Sequence, residues 1–327
     1  MILAGDIGGT NARLAYFQSS NGHLQLVSER VFPSREHKEL GEIVDRFVKE
    51  SGTRPDAACF GIAGPVRQGR VETSNLPWVV ERSQLADQLH VPATLLINDL
   101  EASAWGVGGL AESDLVSLNR GSGKIEGNQA VIAPGTGLGE AGLFWDGRRH
   151  HVFACEGGHT DFAPRGELQI ELLRFLEARF GHVSYERILS GPGLVNTYEF
   201  LRARGPDREP EELGKEIESG DAAAAISRAA MNRTCPLAEK ALDLWITVYG
   251  AEASNLALKV MATGGLFLAG GISPKILTRL QGTIFMENFL DKGRMRPLVE
   301  AIPVCVVMNE KAGLLGAARC AAQNGRS

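Results

Sequence analysis

Residues Ile2 to Phe17 constrain this chain more than any other stretch. The apolar run Ile2-Leu3-Ala4-Gly5-Asp6-Ile7 meets Gly8-Gly9-Thr10-Asn11, and apolar alternation resumes through Ala12, Leu14 and Tyr16. That pattern predicts strand, tight turn, strand. The paired glycines predict positive φ in the turn and bare backbone N–H groups at its tip, where no Cβ obstructs an approaching phosphate. Asp6, at the mouth of the turn, is placed to hold a hydrated Mg²⁺ rather than phosphate. Thr10, Asn11 and Arg13 add donors behind it. Taken alone, the same residues read equally as an ordinary glycine hairpin with an acidic turn.

The rest of the chain repeats this grammar. Leu24 to Phe32 alternates as a third strand, and Glu36 to Lys49 has the spacing of an amphipathic crossover helix, with Leu40, Ile43, Val44, Phe47 and Val48 on one side. Ala57 to Ile62 and Ala93 to Ile97 read as buried strands, the second ending in Asn98-Asp99, with a short helix from Ser83 to Leu89 between them. The pattern restarts at Gln129: strand Ala130 to Ala133, glycine turn Pro134-Gly135-Thr136-Gly137-Leu138-Gly139, then strands at Ala141 to Trp145 and His150 to Ala154. At an offset of 129, Ala4 falls on Ala133, Gly8 on Gly137, Ala12 on Ala141 and Leu14 on Leu143, which predicts a duplicated unit. The second half is more helical, with a long helix from Leu237 to Met261, a buried strand Leu266 to Ala269 ending at Gly270-Gly271, a last strand Val304 to Met308 and a small-residue helix from Glu310 to Ala322.

Composition removes several function classes. A length of 327 residues suits two domains, and 44% hydrophobic with 22% charged residues suits a globular fold. A formal charge of −5 with no basic block argues against a nucleic-acid partner. The five cysteines, Cys59, Cys155, Cys235, Cys305 and Cys320, are never in Cys-x-x-Cys spacing and read as reduced thiols of a cytoplasmic protein. The N-terminus enters strand pattern at once, so no signal peptide is expected. The longest uncharged stretch, Val260 to Pro274, is too short to span a membrane.

Three glycine segments could meet a nucleotide, yet no Walker A loop or Rossmann fingerprint is present. Gly121-Ser122-Gly123-Lys124 lacks the first glycine, with Leu118 in its place, and reads as a surface turn. Asn98-Asp99 closes a buried strand just before a helix, where ligands bind in open α/β sheets. A carboxylate there can take the proton of an attacking hydroxyl, worth roughly 10²–10⁴ in rate; an Asn-Asp helix cap explains the pair equally well. Cys155-Glu156-Gly157-Gly158-His159-Thr160-Asp161 has no metal-site spacing. Glu156 and His159 instead read as hydrogen-bonding groups on an irregular loop, the equipment that sugar hydroxyls require. Glu186 is a third candidate, with a solvated carboxylate as its plainer reading.

Together, Gly5-Asp6-Ile7-Gly8-Gly9-Thr10-Asn11-Ala12-Arg13, Ile97-Asn98-Asp99, Pro134 to Gly139, Glu156-Gly157-Gly158-His159-Thr160-Asp161-Phe162, Ser184 to Asn196 and Leu268-Ala269-Gly270-Gly271-Ile272 resemble the bacterial-type ATP-dependent glucokinases of the hexokinase and actin-like ATPase superfamily. The resemblance runs in order from Asp6 to Gly316. It implies a two-domain α/β fold with a duplicated βββαβαβα core and an interdomain cleft. The small domain would be 1–108, completed by 309–327, and the large domain 109–308. It implies that Asn75, Asn98, Asp99, Glu156, His159 and Glu186 bind the glucose hydroxyls, with Asp99 as catalytic base. Gly5, Asp6, Ile7, Gly8, Gly9, Thr10 and Asn11, with Gly135, Thr136 and Gly137, would serve the ATP phosphates, Asp6 acting through water on Mg²⁺. Gly270 and Gly271 would lie near the nucleoside. Leu100 stands where an aromatic is common in the family, and the cysteine cluster of the zinc-containing repressor relatives is missing.

The reaction implied is transfer of the γ-phosphoryl group of ATP to the 6-hydroxyl of D-glucose, by a cytoplasmic homodimer with no nucleic-acid or membrane partner. Another hexose or another phosphoryl donor remains open at this level, as does a nucleotide-gated actin-like protein without sugar chemistry. That last reading leaves Glu156, His159 and Glu186 without a purpose.

Overall fold

A computed structural model of the protein describes residues 1–20, 23–73, 76–122, 126–205 and 209–324. The chain divides into two compact units: Met1–Asp114 with Val152–Ala154 and Asn309–Ser327, and Leu115–His151 with Cys155–Met308.

The first unit runs β1 (Ile2–Ile7), β2 (Asn11–Ser20), β3 (His23–Pro33), α1 (Leu40–Ser51), β4 (Ala57–Ile62), a hairpin of β5 (Arg70–Glu72) and β6 (Val79–Glu81), α2 (Arg82–Leu89), β7 (Thr94–Asn98) and α3 (Asp99–Val107). Its main sheet has the order β3-β2-β1-β4-β7; the first three strands are antiparallel, while β1, β4 and β7 are parallel. Side chains alternate across the sheet. Leu3, Ile7, Leu14, Phe60 and Ile62 join Ile43, Val44 and Phe47 of α1 in one core. Ile2, Ala4, Ala15, Phe17 and Cys59 join Leu314, Ala317, Ala318 and Ala321 of the closing helix (Ala312–Asn324) in another. Helices on both faces explain why β4 reads as an uninterrupted apolar run. The crossover helix begins at Leu40 rather than Glu36, because Ser34–Glu36 forms a separate 3-10 turn and His37 is extended.

The second unit runs β8 (Leu115–Asn119), β9 (Gln129–Pro134), β10 (Leu138–Trp145), β11 (His150–Cys155, whose Val152–Ala154 belong to the first unit), helices α4 (Gly166–Phe180), α5 (Gly191–Arg204), α6 (Glu211–Ser219), α7 (Ala222–Met231) and α8 (Pro236–Val260), then β12 (Gly265–Leu268) and β13 (Val304–Val307). Its sheet order is β11-β10-β9-β12-β13-β8. The 25-residue α8 carries Trp245 and Tyr249 through the centre of this core, both fully buried. Short β8, the β5–β6 hairpin and a helix at Thr283–Leu290 carry too little periodicity to be read from sequence.

The duplication is topological. Each sheet has an antiparallel three-strand meander followed by two parallel strands, with the meander's first strand next to the first parallel one. A single offset of 129 does not describe it. Four residues, Gly8 to Asn11, separate the paired Ile7 and Ala12, whereas three, Gly135 to Gly137, separate the paired Pro134 and Leu138.

Within the first unit, α3 meets the closing helix backbone to backbone. A Cβ added to Gly316 would overlap the Ala102 carbonyl oxygen, and one added to Gly106 would overlap that of Ala312. Overpacking such a contact costs about 1–3 kcal/mol, so Gly316→Val is expected to lower the urea midpoint at an unchanged slope. A midpoint equal to wild type would show that the two helices do not require this approach.

Candidate active site

In the first unit, parallel register places Asp6 beside Gly61 and Gly61 beside Ile97. The carboxyl ends of β1, β4 and β7 therefore lie together, where open α/β sheets bind ligands. Asn98 ends β7 and caps α3: its Oδ1 accepts the Leu100 N–H at 2.9 Å, and its Nδ2 donates to the Gly64 carbonyl at 2.9 Å. Asp99 opens α3, its Oδ1 also accepting from the Leu100 N–H at 2.9 Å. The helix dipole favours a negative charge there. The cap reading and the ligand-site reading thus describe the same two residues.

Asp6 lies within electrostatic reach of Asp99. Withdrawal from water, then the charge of Asp99, push the Asp6 carboxyl up to about 6, against the pull of Arg13. Two acids that disfavour each other's ionisation form a place for a cation.

The turn after Asp6 is built differently from the sequence expectation. Neither Gly8 nor Gly9 has positive φ. The turn closes through the Gly8 N–H donating to the Asn11 carbonyl at 2.9 Å. Ser34, fully buried, locks it from below: its N–H donates to the Thr10 carbonyl at 2.9 Å and its Oγ to the Gly8 carbonyl at 2.8 Å. Thr10 and Asn11 are left exposed.

In the second unit, three sequence-predicted residues from separate segments converge. His159 Nε2 lies 4.0 Å from Glu156 Oε2, and its Nδ1 lies 4.0 Å from Glu186 Oε1. Glu156 and His159 sit on and beside the 3-10 turn Gly157–His159, while Glu186 belongs to another such turn, Tyr185–Arg187. Glutamate 186 is not a freely solvated carboxylate, because its Oε2 accepts the Leu138 N–H at 3.0 Å. Gly137 makes room for it: an added Cβ would overlap Glu186 Oε2. Gly158 lies equally close to the Leu138 carbonyl. The outcome is one exposed and one half-buried carboxylate with an imidazole between them, suited to a ligand carrying several hydroxyls.

The second unit's glycine segments also meet. The Gly191 N–H, at the start of Ser190-capped α5, donates to the Gly135 carbonyl at 2.8 Å. Gly270 has φ +78, and an added Cβ would stand 2.5 Å from the Pro134 carbonyl oxygen. No Cβ is tolerated there. Thr136 is exposed between Gly135 and Gly137, and Gly271 has open space at its Cβ position. Gly135 and Gly137, like Gly8 and Gly9, lack positive φ. Asn75 lies outside the described residues.

Residues 3–324 match the family model described as Glucokinase. A curated glucokinase of Nostoc sp. is 42% identical over 99% of both chains. The chain belongs to the glucokinase family. Among solved structures, a glucokinase from an Antarctic psychrotroph aligns with TM-score 0.85 at 31% identity, covering 98% of each chain. A glucokinase from Balamuthia mandrillaris, solved in complex with glucose, aligns with TM-score 0.80 at 26% identity, covering 98% of this chain and 93% of the other. The fold is the two-domain α/β fold of the sugar kinases in the actin-like ATPase superfamily.

Sequence reasoning passed over one support of this glucokinase-family site that the structure makes plain. Ser34 sits outside every glycine motif, 26 residues from the carbonyl it holds, and only its burial marks it. Ser34→Ala is expected to cost about 1 kcal/mol and to speed amide exchange at Gly8 and Gly9. Unchanged exchange at both amides would show that Ser34 does not hold the turn.

Proposed function

We propose that this chain is an ATP-dependent glucokinase, transferring the γ-phosphoryl group of ATP to the 6-hydroxyl of D-glucose to give D-glucose 6-phosphate and ADP, the entry step of glycolysis. The observation that carries this reading is the convergence of Glu156, His159 and Glu186 from separate segments, in a chain that matches the glucokinase family from end to end. The Balamuthia relative holds glucose, and we carry that substrate to this chain.

In this reading, Asn98, Asp99, Glu156, His159 and Glu186, with Asn75, bind the sugar hydroxyls. Asp99, at the start of α3, takes the proton of the 6-hydroxyl as that oxygen attacks. The turn Gly8 to Asn11 and the turn Gly135 to Gly137 present backbone N–H groups to the phosphates, and Gly270-Gly271 flanks the nucleoside. Catalysis is mainly positioning and charge stabilisation. The Asp6 environment fits a cation: its carboxyl is raised by burial and by Asp99, and among the described residues no group of three or more His, Cys, Asp or Glu could hold a metal alone. Asp6 would therefore hold Mg²⁺ through water, and the ion would neutralise charge on the transferring phosphates.

We place the small domain at 1–108 with 309–327 and the large domain at 109–308. We place the enzyme in the cytoplasm as a homodimer. Free cysteines, two of them outside the buried core, support a reducing compartment, and among the described residues no helix is long and apolar enough to cross a membrane.

An ADP-release assay across a hexose panel tests the reading, with glucose expected as the best acceptor. A better hexose would reassign the substrate, and phosphorylation of no sugar would sink the reading altogether. Asp99→Ala is expected to lose about 10²–10⁴ in kcat while calorimetry still detects ATP binding. A kcat near wild type would remove Asp99 as the base.

A further inference from the structure

The geometry points to Glu140 as a positioning residue of the sugar site: as the uncharged acid it forms the floor under the Glu156–His159 turn, and its ionisation releases that turn and weakens glucose binding. This rests on the sugar-binding role proposed above for Glu156 and His159.

Glu140 lies on β10, two residues beyond Leu138, and its side chain is 1% exposed. A Cβ added to Gly157 would overlap Glu140 Oε2, so the backbone of the turn rests directly on the carboxyl group. The Cys155 thiol, just before Glu156, donates to the Glu140 carbonyl at 3.3 Å. Glu140 Oε1 is buried and has no hydrogen-bond partner. An ionised carboxylate in that setting would be a buried charge lacking solvation, a costly state.

The groups facing Glu140 do not supply the missing compensation. From α8 come Glu252, Lys259 and Tyr249; from β11 comes Cys155. Lys259 Nζ reaches Glu252 Oε1 at 3.3 Å, so Glu252 takes the cation. Asn255 Nδ2 donates to Glu252 Oε2 at 2.8 Å and to the Tyr185 hydroxyl at 3.1 Å, and Lys292 Nζ donates to Asn255 Oδ1 at 2.6 Å. Glu252 is thereby held beside Glu140, and the same network reaches Tyr185, the neighbour of Glu186. Burial, then the charge of Glu252, push the Glu140 carboxyl up to about 8, with Lys259 offsetting only part. Cys155, Tyr185 and Tyr249 are each pushed above their usual ranges, out of the same window.

The sign follows from where the proton is held. The native state keeps a proton that the unfolded chain releases above 4.5. Stability from this group is therefore fully present below that pH and is lost as pH rises through about 8. If only the protonated form holds the turn, the glucose KM rises about tenfold between about pH 7 and about pH 9. Glu140→Gln keeps the shape without the titration, so its KM should stay flat across that range, with kcat close to wild type. Its melting temperature should gain on wild type as pH rises from about 5 to about 8. An equal KM rise in the Gln variant, or no rise in wild type, would overturn the proposal. So would a melting difference that does not change with pH, a readout that needs no turnover. Failure of the kinase reading would show separately, as absence of ADP release with glucose at every pH.

Discussion

Parallel pairing of β1 with β4, and of β4 with β7, is the constraint on which the first unit's chemistry depends. It brings the carboxyl ends of β1 and β7 to the same end of the sheet, so a carboxylate near the end of one strand and an Asn-Asp pair closing another come together although some 90 residues of sequence separate them. Alternation along β1 then decides which face receives Asp6. Ile2 and Ala4 face the closing helix, and Asp6 shares their parity. At that point the helix carries Gly313, whose Cβ position is 3.4 Å from the Asp6 carboxyl. A slip of one residue in β1 would turn Asp6 toward α1 and away from the closing helix.

The glycines of both units act mainly through space. At Gly137, Gly157 and Gly158 an added Cβ would overlap Glu186, Glu140 or the Leu138 carbonyl. None of these three has positive φ; Gly270 has both reasons at once. These turns are therefore thin layers laid on buried groups: Ser34 lies under the turn Gly8 to Asn11, and Glu140 under the turn Gly157–His159.

This explains what was legible in the sequence. The strand before Asn98-Asp99 and the helix after it are strong local signals, so the location of that pair followed from pattern alone. Buried strand Ala57–Ile62 and the long helix α8 were equally readable, because apolar periodicity reports burial directly. The meeting of Glu156, His159 and Glu186 is not local; 26 residues separate His159 from Glu186, and only the resemblance placed them together. Glycine pairs suggested positive φ where the chain needed close approach. Ser34 and Glu140 were missed for a shared reason: a polar residue in a connection, like Ser34, or beside a glycine turn, like Glu140, reads as solvent-facing, and nothing local reveals that it is buried.

Asp6 and Glu140 are both acids raised mainly by burial, yet the structure resolves them in opposite ways. Asp6 stands near the carboxyl end of the central strand β1, within electrostatic reach of Asp99, with Arg13 already drawing its carboxyl toward the ionised form. Asp6 is only half-buried, so a cation can complete that compensation. Glu140 is sealed under Gly157 with an unpartnered oxygen, and the cation nearest to it is spent on Glu252. No ligand reaches it, so the compensation must be a proton. The same desolvation therefore builds a receptive charge in one unit and a neutral support in the other; access, rather than residue type, decides which.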